Sequence, residues 1–194
     1  MKSFYRVTTV VAVLLSLFHI VYPLRPIDPW SLRVIHLLCG MLIVFLSTAR
    51  DSFFSKLTSS LLAVFAVLCN VYILINMDQI IDRVSFPTKI DVFMGVVCVI
   101  LVFEMARRAI GKPMVFVGIF AIFYALYGNI FPGFWGHKGY SLTRLIDHLY
   151  LYTEGIYGIP LGVSANFVIL FIIFGAFLNA TKTGGVKLIS GVWS

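Results

Sequence analysis

Long uncharged stretches are the feature of this sequence that most constrains its fold. One runs from residue 155 to residue 181 without an Asp, Glu, Lys or Arg, and residues 7–24 and 57–77 form two more. An α-helix needs about 20 predominantly apolar residues to cross the roughly 30 Å of hydrocarbon in a bilayer. Several segments of this chain meet that requirement, so the sequence predicts an integral membrane protein.

The composition excludes the main alternatives. Hydrophobic residues make up 60% of the 194 residues and charged residues only 12%, whereas soluble domains average about 45–50% and about 25%. This excess of apolar residues excludes a soluble enzyme and a disordered chain. The net charge of +7 comes from Lys and Arg scattered between the apolar runs, a pattern that favours contact with anionic lipid headgroups over nucleic acid.

The runs predict an all-α integral membrane protein with about six transmembrane helices and one amphipathic interfacial helix. Five spans are expected within the uncharged runs 7–24, 34–49, 57–77, 113–136 and 155–181. The first run could instead be a signal peptide, but it ends in HIVYP without a small-residue cleavage site, which favours an uncleaved span. The distribution of Lys and Arg favours a cytoplasmic N-terminus.

The fourth span is unusual because Asp91 and Glu104 leave only residues 92–103 uncharged. Twelve helical residues rise about 18 Å, too little to cross the hydrocarbon. Thr88 after a proline is a typical helix start, and Gly111 is a typical stop. We therefore expect residues 88–110 to form a span with charged ends.

Residues 140–152 show the spacing of a short amphipathic helix. An aromatic turn at 131–136 precedes them and suits the headgroup level. Apolar side chains recur at i, i+3, i+4 and i+7, which predicts one apolar face and a polar face opposite to it. The apolar face comprises Leu142, Leu145, Ile146 and Leu149, and the polar face comprises Arg144, Asp147 and His148.

Charged side chains near the membrane are candidates for structural or assembly roles. Arg107 and Arg108 follow Glu104 at i+3 and i+4, so either can pair with it on one helix face. The pattern fits an interfacial anchor with an intrahelical salt bridge, or a clamp to another helix or subunit. Asp91 lies near the opposite end of the same span. His36 is expected at an interfacial tip or in a buried hydrogen bond.

No pattern points to catalysis, a metal or a cofactor. The sequence has no HExxH motif, nucleophile elbow, phosphate loop or dinucleotide fingerprint. We expect Ser164 to lack a nearby base and to serve close helix packing. A small intramembrane enzyme using Glu104 or a histidine is the remaining enzymatic alternative, and we expect the chain not to be an enzyme.

A glycine- and proline-rich stretch precedes the last continuous apolar run. Its members are Gly155, Gly158, Pro160 and Gly162. These residues should break or bend a helix. The stretch is either an extramembrane lead-in to the last span or a broken segment at membrane depth. The second arrangement survives only where protein or a water-filled cavity satisfies the backbone.

The second half of the chain resembles the fused permeases of tripartite ATP-independent periplasmic (TRAP) transporters that work with TAXI-type binding proteins. The specific motif is EGIYGIPLGVSA at 154–165 with FGAFL at 174–178. GNIFPG at 128–133, GYSL at 139–142 and HLYL at 148–151 agree as well. The first half agrees more loosely, through RVIHL at 33–37, Pro87-Thr88 with Asp91, and EMARRAIG at 104–111.

This resemblance implies a division of the chain into three parts. Residues 1–112 resemble the four-helix small subunit, residues 113–139 form a linking span and aromatic turn, and residues 140–194 resemble the start of the large transport domain. The implied function is that of a membrane permease component for organic acid uptake, in a bacterial or archaeal cytoplasmic membrane. The implied partners are lipid, the remaining large permease subunit and a periplasmic substrate-binding protein.

The chain also departs from the family pattern. The family continues after FGAFL with an acidic residue, whereas Asn179 follows here, and the helical hairpins that hold sodium and substrate have no counterpart. We therefore expect no sodium or substrate site in this chain and no transport by the chain alone. The alternative is a non-transporting scaffold or assembly subunit that binds a complete permease.

The predicted topology places the turn before the amphipathic helix on the periplasmic side. We expect a cysteine that replaces Lys138 to react with a membrane-impermeant maleimide added outside the cell. Labelling of intact and inverted membrane vesicles measures this. Reaction only from the cytoplasmic side would overturn the topology.

Overall fold

The computed structural model describes residues 2–83 and 86–181, and these residues form an all-α membrane protein, as predicted. Five helical segments are long and apolar enough to cross a membrane. Residues 182–194, which include the end of the third predicted part, lie outside the described residues. The helices are α1 (Lys2–Val21), α2 (Pro29–Ser47), α3 (Phe53–Asp82), α4 (Lys89–Ala109), α5 (Lys112–Tyr127), α6 (Leu142–Ile146), α7 (Ile159–Val163) and α8 (Ile169–Ala180).

Side-chain caps set several of the helix starts. Asp28 accepts hydrogen bonds from the amides of Trp30 and Ser31 at 2.8 and 3.0 Å, which begins α2. Thr88 and Asp91 form a reciprocal capping box at the start of α4. After α4 the chain turns at Gly111, whose φ of 119° favours glycine. The predicted start and stop of the fourth span are therefore both found.

Helix α4 differs from the other long helices in its charges. It has 21 residues, but its ends carry Lys89, Asp91, Glu104, Arg107 and Arg108. The five segments that qualify by length and composition do not include it. Its length matches a span, and its charged groups are concentrated at its two ends.

The core lies between α2, α3 and α4. Phe45 of α2, Ile73 of α3 and Cys98 of α4 are fully buried in it. Tyr150 and Tyr157, from the region between α6 and α7, are fully buried in the same cluster. The second half of the chain is thus anchored in the core of the first half.

Helices α5 and α8 lie at the outside. Neither contains a buried residue, and most of their large apolar side chains are exposed. Phe116 of α5 and Phe171 of α8 are 69% and 73% exposed. In a bilayer these faces contact lipid.

The predicted faces of the amphipathic helix are wrong in one respect. Asp147 was expected on the polar outer face but is only 8% exposed, whereas Leu142 of the expected apolar face is 53% exposed. After α6 the helix widens into a π turn over Asp147–Leu151. The face buried against α4 instead comprises Ile146, Asp147, Tyr150 and Leu151.

Gly95 allows this π turn to approach α4. A Cβ atom at Gly95 would collide with Ile146 and lie 3.0 Å from Tyr150 Cδ1. We expect Gly95→Ala to destabilise the fold by about 1–3 kcal/mol through overpacking. Denaturant titration in detergent, followed by circular dichroism, measures the change.

Gly40 provides the matched control. It lies in α2 with nothing within 4 Å of an added Cβ. Gly40→Ala should be neutral or stabilising by up to about 1 kcal/mol, because alanine is the better helix former. Equal stability of the two variants would contradict the packing described here.

Candidate functional site

The polar side chains near the helix ends fall into three groups, and the first joins α2 to the glycine-rich segment. Arg33 Nη1 donates a hydrogen bond of 2.9 Å to the carbonyl oxygen of Tyr157. The guanidinium also packs on Gly162, where an added Cβ would lie 2.9 Å from Arg33 Nε. Gly162 is therefore needed for close approach of the cation to the start of the last span.

The glycine-rich segment folds as a tight turn followed by a helix start. The amide of Ile156 donates to the carbonyl of Leu149 at 2.7 Å, and the amide of Gly158 donates to the carbonyl of Gly155 at 3.0 Å. Pro160 then occupies the first turn of α7, where its missing N–H is not needed. The break precedes the spanning segment Ile159–Ala180, and its backbone is bonded by protein groups.

His36 lies one turn after Arg33 and links three elements. Its Nε2 is 3.1 Å from Ser164 Oγ, and its Nδ1 is 3.2 Å from His19 Nε2. His19 Nδ1 lies 2.9 Å from the carbonyl oxygen of Leu15. This chain connects α1, α2 and the π turn Ser164–Val168 that follows α7.

The direction of each hydrogen bond in this chain follows from the carbonyl at its end. A carbonyl only accepts, so His19 Nδ1 donates to Leu15, and in a neutral ring His19 Nε2 then accepts. His36 Nδ1 therefore donates to His19, and His36 Nε2 accepts the hydroxyl proton of Ser164. Two neutral histidines and one hydroxyl satisfy every contact.

The expectation that Ser164 lacks a nearby base is wrong. The sequence separation hid the contact, because His36 lies far away along the chain. Serine, histidine and a second acceptor also occur in this order in hydrolases. However, the amide of Ser164 is bonded to the carbonyls of Pro160 and Leu161, so it is not free to stabilise an oxyanion. The contact fits attachment of the π turn to α2.

Two buried tyrosines complete the attachment. The hydroxyl of Tyr157 donates to Asn70 Oδ1 at 3.0 Å and lies 3.7 Å from Cys98 Sγ. The hydroxyl of Tyr150 donates to the carbonyl of Cys69. Neither tyrosine was identified from the sequence. Asn70 was the available signal, because a polar residue in the middle of a span needs a hydrogen-bond partner.

The second group lies at the C-terminal end of α4. Glu104 accepts hydrogen bonds from Arg107 and from Arg108, each at 2.7 Å. Arg108 also donates to Ser59 Oγ at 2.9 Å and to Thr48 Oγ1 at 3.2 Å. Arg107 thus forms the intrahelical salt bridge, and Arg108 clamps α4 to α2 and α3.

The third group surrounds Asp91, which is 1% exposed. Its carboxylate accepts from Tyr72 Oη at 2.6 Å and from the amide and hydroxyl of Thr88 at 2.7 and 2.8 Å. Arg83 Nη2 lies 3.5 Å from the same carboxylate. Arg83, which follows α3, is thus paired with the start of α4.

Comparisons with protein-family models, with curated proteins and with solved structures find no match. Within residues 2–83 and 86–181, no three His, Cys, Asp or Glu side chains are grouped so that they could hold a metal ion. The candidate site therefore consists of the three polar groups, of which the Arg33–His36 group contacts the specific sequence motif.

The two arginines next to Glu104 should differ in their contribution to stability. Arg108→Met removes the donor to Ser59, whose side chain is buried, and we expect it to cost about 1–3 kcal/mol. Arg107→Met removes an exposed ion pair and should cost about 1 kcal/mol or less. Thermal unfolding in detergent compares them, and an equal loss would show that Arg108 is not a clamp.

Proposed function

We propose that this chain is a membrane component of a TRAP-type secondary transporter for organic acid uptake. In this role α1–α4 form a support, and the segment from α6 to α8 is the start of a transport domain fixed to it. The observation that carries the proposal is the bond from Arg33 to the Tyr157 carbonyl, because both residues lie within the stretches that resemble the family.

The contacts between the two parts suit a fixed joint. Tyr150 and Tyr157 have no exposed surface, and their hydroxyls are bonded inside the α3–α4 region. Separating the parts would expose both rings and leave buried acceptors unpaired, which is costly. By the family resemblance, the large domain moves substrate by an elevator-like motion, and such a motion requires a stationary support of this kind.

The proposed partners follow the same resemblance. A large permease subunit would supply the substrate and sodium sites, and a periplasmic binding protein would deliver the organic acid near residues 131–154. Lipid contacts the exposed faces of α5 and α8. The proposed location is the cytoplasmic membrane, with the N-terminus in the cytoplasm.

A non-transporting scaffold or assembly subunit is the second candidate. The same fixed joint favours it, because a support that binds a complete permease needs no moving part of its own. The two candidates differ in whether removal of the chain stops organic acid uptake.

A gene deletion with complementation tests the proposal. Deletion should abolish uptake of a radiolabelled organic acid, and the wild-type gene should restore it. Arg33→Met keeps the aliphatic packing but removes a charged hydrogen bond of about 1.5–3 kcal/mol, so we expect about tenfold lower uptake. Arg25→Met, at an exposed arginine of the preceding loop, should restore uptake fully.

The outcomes separate the candidates. The transport proposal is overturned if the deletion changes the uptake of none of the tested organic acids. If a complete permease then still co-purified with the tagged chain, the scaffold candidate would be favoured. Equal uptake by the Arg33 and Arg25 variants would show that the joint is not needed for transport.

A further inference from the structure

A cavity of about 270 Å³ lies where α3 ends and α4 begins, beside the π turn after α6. Its wall combines three aromatic side chains with three charged ones. These are Trp30, Phe86, Tyr152, Arg83, Asp91 and Asp147. The three polar groups described above include Arg83 and Asp91, but they do not explain why residue 147 is an aspartate.

Two of the three charged groups in the wall are already paired. Asp91 accepts three hydrogen bonds from Tyr72 and Thr88, which fills most of its acceptor sites. The guanidinium of Arg83 lies against Asp91 and also donates to the carbonyl of Gln79 at 3.0 Å. The formal charges of Asp91 and Arg83 therefore cancel.

Asp147 has no such partner. It is 8% exposed, and its carboxylate has no hydrogen bond or ion pair with any residue of 2–83 and 86–181. Burial, and then the nearby charge of Asp91, raise the pKa of Asp147. Arg144 and His148 act in the opposite direction, but both side chains are exposed and neither forms an ion pair with it. The cavity wall thus holds one carboxyl group that pairs with no cation among the described residues.

We propose that this cavity binds an organic ammonium or guanidinium group, held by the carboxylate of Asp147. A buried, unpaired carboxylate is unfavourable, and a cationic ligand supplies the missing charge and donors. The aromatic side chains supply faces that attract such a cation. Trp30 also has a buried indole N–H without a partner in the described residues, so a hydroxyl or carbonyl on the ligand has a donor available.

The shape and the ligands of the cavity favour an organic cation over an inorganic one. A hard metal cation needs several oxygen ligands at once, and the oxygens of Asp91 are already occupied by Tyr72, Thr88 and Arg83. A volume of about 270 Å³ also exceeds that of a bare ion and suits a small organic group. The group could belong to a free amine or to a Lys or Arg side chain of a bound protein, and the test below separates these sources.

Fluorescence of Trp30 offers a direct test, because this residue lines the cavity. In the full chain with Trp135→Phe and Trp193→Phe, Trp30 is the remaining tryptophan. Titration with n-butylammonium and with guanidinium, at constant ionic strength set by NaCl, should change its emission in a saturable way. Asp147→Asn should weaken binding by about tenfold or more, since it removes the charge that pairs with the ligand.

Asp82→Asn is the matched control. Asp82 is an exposed carboxylate at the same end of α3, so its loss should leave the affinity unchanged. Asp147→Asn keeps the side-chain shape and removes repulsion from Asp91, and circular dichroism checks its fold. A second variant, Asp147→Ser, should lose binding equally.

A comparison of two amines identifies the source of the cation. Tighter binding of N-acetyl-lysine-methylamide than of n-butylammonium supports a side chain from a protein, and the reverse supports a free amine. The assignment is wrong if the wild type shows no saturable response, if Asp147→Asn binds as well as the wild type, or if NaCl alone produces the same response. None of these outcomes depends on organic acid uptake, so this assignment and the transport proposal can fail separately.

Discussion

A backbone polar group that leaves a helix needs a new hydrogen-bond partner, and the structure depends on how the chain supplies one where its helices break. The critical break lies between the π turn after α6 and the start of α7. There the carbonyl of Tyr157 has no helical partner, and Arg33 supplies one at 2.9 Å. A guanidinium suits this place because it carries several donors in a fixed plane. Gly162 leaves the space that its approach requires. The bond therefore holds the segment before α7 against α2.

Buried polar contacts are concentrated where the backbone is irregular. The π turn after α6 is held through Tyr150, and the π turn after α7 is held through Ser164 and His36. By contrast, the regular helices α5 and α8 satisfy their own backbone and bury no residue. Side-chain hydrogen bonds thus fix the irregular segments to α2–α4, and lipid surrounds the regular ones. This distribution gives a hydrogen-bonded centre with two peripheral helices.

The sequence predicts the spans and their ends because solvent and capping act locally. Charge-free runs, the Thr88–Asp91 capping box and the Glu104 salt bridges all depend on residues close together in the chain. The bond between His36 and Ser164 could not be predicted, because it joins distant helices and nothing local requires it. The burial of Asp147 was missed for another reason. The local apolar pattern places it outward, and packing of the segment against α4 at Gly95 turns it inward.

Asp91 and Asp147 show why burial alone does not reveal the role of a carboxylate. Asp91 caps α4, neutralises Arg83 and lies at a helix N-terminus, where the macrodipole favours a negative charge. Folding therefore explains its charge completely. Asp147 caps nothing and pairs with nothing among the described residues, and an uncharged side chain of the same shape would cost less to bury. A charge that the fold does not use, in the wall of a cavity, is best explained by a cation that binds there.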